Sequence, residues 1–174
     1  EKAKGRHAEF GKLLSIGRMF YEPIWVYSRG DLHVASLRDL KGMKILTGTK
    51  ESGARRIVNQ LLKANGIDKS NATLIDQDLP ADAAPLFDGR ADVAITISAP
   101  DSDKMQDLVR VAGIRLMDFS PEAEAYDNRF PALTRVVLRK GSIEFNPVIP
   151  SDDITLLATT AVLVVRSDMH PALM

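Results

Sequence analysis

Gly48-Thr49-Lys50-Glu51-Ser52-Gly53-Ala54, set between the apolar Lys44-Ile45-Leu46-Thr47 and an amphipathic helical pattern, has the residue types of an anion site. The unbonded N–H groups of a first helical turn and the positive end of the helix dipole converge in front of such a turn. Thr47, Thr49 and Ser52 add hydroxyls, while Thr96 and Ser98, at the end of the apolar run from Ala91 to Ile97, are expected to face the same crevice. Hydroxyls and small residues hydrogen-bond a carboxylate without adding charge. Ser52 has two readings, ligand donor or N-cap of the helix that follows.

Other chemistry is excluded by residue type. Gly48 and Gly53 have the glycine spacing of a P-loop, but Ala54-Arg55 stand where nucleotide binding needs Lys and then Ser or Thr. There is no Gly-x-Ser-x-Gly elbow, and no base stands near Ser52 in the sequence. The absence of cysteine removes disulfides, thiolate zinc sites and thiol nucleophiles. His7, His33 and His170 are scattered, and Asp101-Ser102-Asp103 lacks the glycine and distal glutamate of a calcium loop. We expect no metal, no cofactor and no catalytic residue.

The elements that position the turn follow from periodicity. Ala54, Ile57, Val58, Leu61 and Leu62 form one helix face up to a Gly66 stop, with Arg55, Arg56, Asn59, Gln60 and Lys63 pointing away. Ser36-Leu37-Arg38-Asp39 has the spacing of a capped helix start before Gly42. Strands are expected over Ile24 to Tyr27, Met43 to Thr47, Ala72 to Ile75, Ala91 to Ile97 and Ile114 to Met117, with helices over Ala81 to Phe87 and Asp101 to Val111. Glu9 to Met19 reads as a short helix weakened by Gly11 and Gly17. Strand–helix alternation with short connections makes an α/β fold with an open, mainly parallel sheet flanked by helices. Ligands of such sheets sit beyond the carboxyl ends of the strands, where Gly48 to Gly53 lies. The alternation then breaks into a helix over Pro121 to Phe130, a strand over Leu133 to Leu138, an extended connection over Pro147 to Pro150, and Ile154 to Arg166, too long for one buried strand. That last run, like Glu22 to Arg29, is expected to cross out of the domain.

A chain of 174 residues, 45% hydrophobic and 26% charged, suffices for one sizeable domain. Lys plus Arg and Asp plus Glu number 23 each, and no basic block gives a footprint for nucleic acid. Glu1 to His7 lacks the apolar run of a signal peptide, and Ile154 to Val165 falls short of the roughly 20 residues a spanning helix needs, so the chain reads as soluble.

Tyr21-Glu22-Pro23-Ile24-Trp25-Val26-Tyr27-Ser28-Arg29-Gly30-Asp31, Ser36-Leu37-Arg38-Asp39-Leu40-Lys41-Gly42-Met43-Lys44-Ile45 and Gly48 to Ala54 follow one another in an order that resembles the TAXI-type periplasmic solute receptors of TRAP transporters. Leu86-Phe87-Asp88-Gly89-Arg90-Ala91-Asp92-Val93-Ala94 and Leu163-Val164-Val165-Arg166-Ser167-Asp168-Met169-His170-Pro171-Ala172-Leu173 extend the likeness, which spans Leu13 to Met174. The resemblance implies one lobe of a type II periplasmic-binding-protein-like fold with hinge-crossing strands. On it, 1–31 is the remnant of a first lobe and the first crossing strand, 32–152 the ligand-binding lobe, and 153–174 the return strand and the start of a C-terminal helix; the rest of the first lobe would lie before Glu1. It also implies a periplasmic receptor, free or membrane-tethered, that closes on a small organic anion or amino acid and delivers it to membrane permease subunits by a hinge motion. Gly48 to Ala54 would hold the ligand's acid group, Tyr21 and Glu22 would sit near the hinge, and Thr159 and Thr160 on the return crossing. The chain departs from the family at Glu51, where many members have glycine, and at Ala54, where they have a hydroxyl residue. A carboxylate at the mouth of an anion site repels an anionic ligand by on the order of 1 kcal/mol unless Lys50 compensates. The same fold serves ligand-sensing domains of transcription regulators and ABC-type substrate-binding proteins, while an enzyme of this shape would need a cofactor lysine, a cysteine or an acid pair in the cleft.

Overall fold

The computed structural model describes residues 13–50 and 52–166. Its strands are β1 (Leu13–Arg29), β2 (Lys44–Leu46), β3 (Thr73–Ile75), β4 (Val93–Ile97), β5 (Ile114–Leu116), β6 (Leu133–Leu138), β7 (Glu144–Phe145), β8 (Val148–Ile149) and β9 (Ile154–Arg166). The helices are α1 (Gly53–Ala64), α2 (Ala84–Phe87), α3 (Asp103–Arg110) and α4 (Ala123–Arg129), with a 3-10 turn at Leu37–Leu40. Seven strands join in the order β3-β2-β4-β1-β9-β6, and β5 also pairs with β1. β2 is parallel to both β3 and β4, whereas β1 is antiparallel to β4 and to β5. It follows that β2, β3, β4 and β5 all run one way and β1 is the single reversed strand among them. That is the α/β fold expected from the strand–helix alternation.

The chain divides into two units, and β1 and β9 each run from one into the other. The first unit is Glu22–Thr159. Its sheet is covered on both faces, which is why its strands read as continuous apolar runs. Alternation along the strands sorts the core into two layers. Ile24, Val26, Ile45, Val93, Ile95 and Leu157 pack with Val58, Leu61 and Leu62 of α1 and with Phe119 and Tyr126. Trp25, Tyr27, Leu46, Ala94 and Leu156 pack with Leu86 of α2 and with Met105 and Leu108 of α3. Among the described residues the second unit comprises 13–21 and 160–166, the outer ends of β1 and β9, where Leu14, Ile16, Met19, Phe20, Tyr21, Val162, Leu163 and Val164 are exposed.

Two of the sequence elements on which the receptor resemblance rests prove to be folding devices. Asp39 accepts from the backbone N–H of Ser36 (2.8 Å) and Ala35 (3.0 Å) while Ser36 Oγ accepts from Arg38 N, a complete capping box, and Gly42 ends the segment at φ +84°. Asp92 accepts from Lys44 N (2.9 Å) and lies 3.4 Å from the Arg29 guanidinium, so it ties the start of β4 to the start of β2 and the end of β1.

Three local expectations are corrected. Residues 13–19 are strand rather than helix. Ser15 and Gly17 are poor helix formers, and the segment continues unbroken into the aromatic and β-branched Trp25-Val26-Tyr27, so ladder pairing wins over a short, marginal helix. Glu9 to Lys12 lie outside the described residues. Pro147 to Pro150 is not simply extended, because Val148–Ile149 pairs with Glu144–Phe145 as a small antiparallel hairpin. The helix expected from Ala81 begins only at Ala84, because Ala83 takes a left-handed φ of 53° and Asp82 accepts from Ala84 N at 3.0 Å. No helix among the described residues is long and apolar enough to cross a membrane.

Candidate functional site

Because β2, β3 and β4 point the same way, the chain leaves the sheet on one edge three times: at Thr47 after β2, at Asp76 after β3 and at Ser98 after β4. A cavity of about 250 Å³ opens there, lined by Thr47, Gly48, Ser52 and Ala54 of the first exit, Asp78 of the second, Thr96 and Ser98 of the third, and Lys104 in the first turn of α3. Ligands of open α/β sheets bind at this edge.

Hydrogen bonding sorts the hydroxyls into two kinds. Thr47 is fully buried, donates from Oγ1 to the Ile75 carbonyl (3.1 Å) and accepts from the Arg55 guanidinium. Ser52 is the N-cap of α1: its Oγ accepts from Arg55 N at 3.2 Å and donates to the Thr49 carbonyl at 3.0 Å. Both are committed to the turn. The Thr96 and Ser98 hydroxyls make no hydrogen bond to a described residue, and no described residue accepts from the Gly53 and Ala54 N–H groups at the start of α1. Of these, the Thr96 and Ser98 hydroxyls and the Ala54 N–H belong to residues that line the cavity, together with Asp78 and Lys104. Thr49 and Gly53 belong to the turn but do not line the cavity, and Glu51 lies outside the described residues. Replacing Ser52 by Ala is expected to lower unfolding free energy by about 1 kcal/mol through loss of the cap, read by urea titration.

Arg55 corrects the helical-wheel reading. It is 8% exposed rather than pointing away, because its guanidinium turns back beneath the turn, donating to Thr47 Oγ1 and the Gly48 carbonyl (3.1 Å) and pairing with Asp76. Lys50 Nζ lies 3.3 Å from the same Asp76 carboxylate. The turn itself depends on Gly48, whose φ of +82° disfavours any Cβ, and a Cβ there would meet Asp78 Oδ1 and Ser52 Oγ at 3.4 Å.

Partial burial pushes the Asp76 carboxyl up, but the Lys50 and Arg55 cations beside it outweigh that and hold it below the usual carboxylate range. A carboxyl depressed on folding stabilises fully above its unfolded pKa of about 4 and loses that contribution as pH falls through the lower, folded value. Thermal melts from pH 6 down to pH 2 should therefore show a steeper acid loss in the parent chain than in Asp76→Asn; equal slopes would remove Asp76 from the acid response.

The remaining candidates lie elsewhere. Thr159 Oγ1 donates to the Glu22 carbonyl at 3.5 Å, linking the two crossing strands at the edge of the first unit. Tyr21 and Thr160 belong to the second unit. Sequence reasoning missed Asp78 and Lys104. Both follow from the carboxyl-edge rule, since Asp78 comes three residues after β3 and Lys104 stands in the first turn of the helix after β4. Trp25 was also missed as a positioning residue: its Nε1 donates to the Ser98 carbonyl at 3.0 Å. Among the described residues no cluster of His, Cys, Asp or Glu could hold a metal ion.

The sequence model of the NMT1-like family matches residues 2–174. The chain belongs to the NMT1-like family. No curated protein matches it. Among solved structures, the periplasmic aliphatic sulphonate binding protein SsuA from Escherichia coli is similar with a TM-score of 0.50 and 15% identity, over 69% of the NMT1-like chain and 45% of that chain. The second substrate binding domain of a putative amino acid ABC transporter from Streptococcus pneumoniae aligns over 98% of this chain and 58% of its own at 9% identity and a TM-score of 0.46. The NMT1-like chain thus spans about half the length of these structures. At such identities the likeness is one of fold alone.

Proposed function

We propose that this NMT1-like chain carries the ligand-binding lobe of a solute receptor that takes up a small organic anion or amino acid and presents it to membrane permease subunits, in the periplasm, free or tethered. The carrying observation is the cavity where β2, β3 and β4 end, whose lining includes the Ala54 N–H at the start of α1 and the hydroxyls of Thr96 and Ser98, none of them hydrogen-bonded to a described residue. The Gly48 to Ala54 turn holds the ligand's acid group, and Ser52 acts by shaping that turn. Closure bends β1 and β9 where the two units meet in sequence, at Tyr21–Glu22 and Thr159–Thr160. No catalytic residue is assigned.

The order of sequence elements shared with TAXI receptors supports a TRAP-type, ion-coupled permease as the partner. The fold shared with the sulphonate-binding protein supports an ABC-type permease equally. Thermal-shift screening with organic acids, sulfonates and amino acids, with nucleotides as controls, tests the receptor reading; stabilisation by nucleotides alone overturns it. Uptake of the stabilising solute by vesicles carrying the permease then separates the partners, a sodium gradient driving a TRAP system and ATP an ABC system.

A further inference from the structure

A second groove lies at the amino ends of β4 and β5, across the sheet from the cavity described above. It runs between Arg29 and Gly30 at the end of β1, Phe87 of α2 with Gly89 after it, and Gly113 to Arg115 at the start of β5. β5 pairs with β1 and with no other described strand. Gly30 N donates to the Gly113 carbonyl (2.7 Å) and Met117 N to the Val26 carbonyl (2.9 Å), so Gly113, Arg115 and Met117 bond inward to β1. The N–H and C=O groups of Ile114 and Leu116 therefore point the other way, and none of these four groups bonds to a described residue. They form a row of alternating donors and acceptors on a sheet edge, a template for one more strand.

The two faces beside that edge differ in chemistry. Ile114 and Leu116 pack on the layer that holds Leu86 and Leu108, and Phe87, 54% exposed, carries this apolar surface out over the groove, its Cε1 only 3.1 Å from where a Cβ on Gly113 would lie. Arg115 alternates to the opposite face and is exposed. Other charges at the groove are paired, Arg29 with Asp31 and Asp92 and Asp88 with Arg90, whereas Arg115 pairs with no described residue. A strand added here sets alternate side chains against Ile114, Leu116 and Phe87 and the intervening ones beside Arg115. We propose that the β5 edge docks an extended segment of a partner protein in which apolar and acidic residues alternate. A second copy of this chain fits less well, because symmetric antiparallel pairing about Arg115 sets two guanidinium groups side by side.

Three blocked seven-residue peptides test this on the full chain: alternating valine and glutamate, alternating valine and lysine, and the valine–glutamate peptide methylated on its backbone nitrogens. Calorimetry should give the unmethylated valine–glutamate peptide a Kd lower than either of the others by about fivefold or more, since it alone offers both the charge and the backbone donors. Hydrogen–deuterium exchange should show the Ile114 and Leu116 amides protected when it binds. Arg115→Glu, a change at an exposed position, should reverse the preference between the glutamate and lysine peptides. Equal binding of the methylated peptide, no reversal in Arg115→Glu, unprotected Ile114 and Leu116 amides, or binding by none of the three overturns the proposal. Protection of those amides without peptide, together with a dimer mass in sedimentation, gives the edge to a second copy and overturns it as well. Solute binding at the carboxyl edge of β2 and β4 has no part in any of these readouts.

Discussion

Replacing Trp25 by Ala is expected to lower the unfolding free energy by about 3–5 kcal/mol, the range for removing a fully buried large aromatic. Trp25 has no exposed surface, stacks with Tyr27 at 6.2 Å between ring centroids and lies in the core layer beneath α2 and α3. Its loss leaves a void in a close-packed layer and an indole-sized gap under the end of β4. The more informative variant is Trp25→Phe, which keeps most of the packing and deletes the Nε1 donor to the Ser98 carbonyl. That variant should cost about 1–2 kcal/mol in stability and also weaken ligand binding, because Ser98 would keep only its N–H bond to the Pro23 carbonyl to fix its place on the cavity wall. Urea titration and calorimetry on the same preparations check both. Full affinity in Trp25→Phe would reduce Trp25 to a packing residue.

Arg55→Met should destabilise the chain by about 2–4 kcal/mol. The Arg55 side chain is 10% exposed and its Asp76 partner 28%, so the pair is largely sheltered from solvent. Methionine preserves the stem but leaves Thr47 Oγ1, the Gly48 carbonyl and Asp76 without their common donor. Arg55→Lys should recover only part of the loss, because a single ammonium cannot span three acceptors that the planar guanidinium reaches together. Since the same guanidinium holds the carbonyl of Gly48, both variants should also loosen the turn and reduce affinity for any ligand that binds it. Urea titration beside calorimetry gives the two readouts, and a change below 1 kcal/mol in Arg55→Met would mean that Lys50 alone holds Asp76.

Much of the fold is legible in residue order. The heptad-like spacing of Ala54, Ile57, Val58, Leu61 and Leu62 predicts α1, the capping pair Ser36 and Asp39 predicts the 3-10 start, and Ile154 to Arg166 emerges as a single strand crossing the unit boundary. These are local patterns whose physics is completed within a few residues. Arg55 was misread for the opposite reason. A helical wheel assigns an arginine to solvent, and nothing nearby in sequence shows Asp76, twenty-one positions on, waiting to receive it.

By itself the sequence determined the α/β alternation, the long strand Ile154 to Arg166 and the serine-capped turn at the carboxyl end of β2, because periodicity, glycine placement and helix capping act over short range. Only the tertiary structure decided which groups at that turn are available. Parallel pairing of β2 with β3 and β4 brings Asp78, Thr96, Ser98 and Lys104 to the same edge. Hydrogen bonding then commits Thr47 and Ser52 to holding the turn, while the Thr96 and Ser98 hydroxyls bond to no described residue. Hydroxyls that look alike in a sequence differ once neighbours from distant segments have claimed some of them, and that competition exists only in the folded chain.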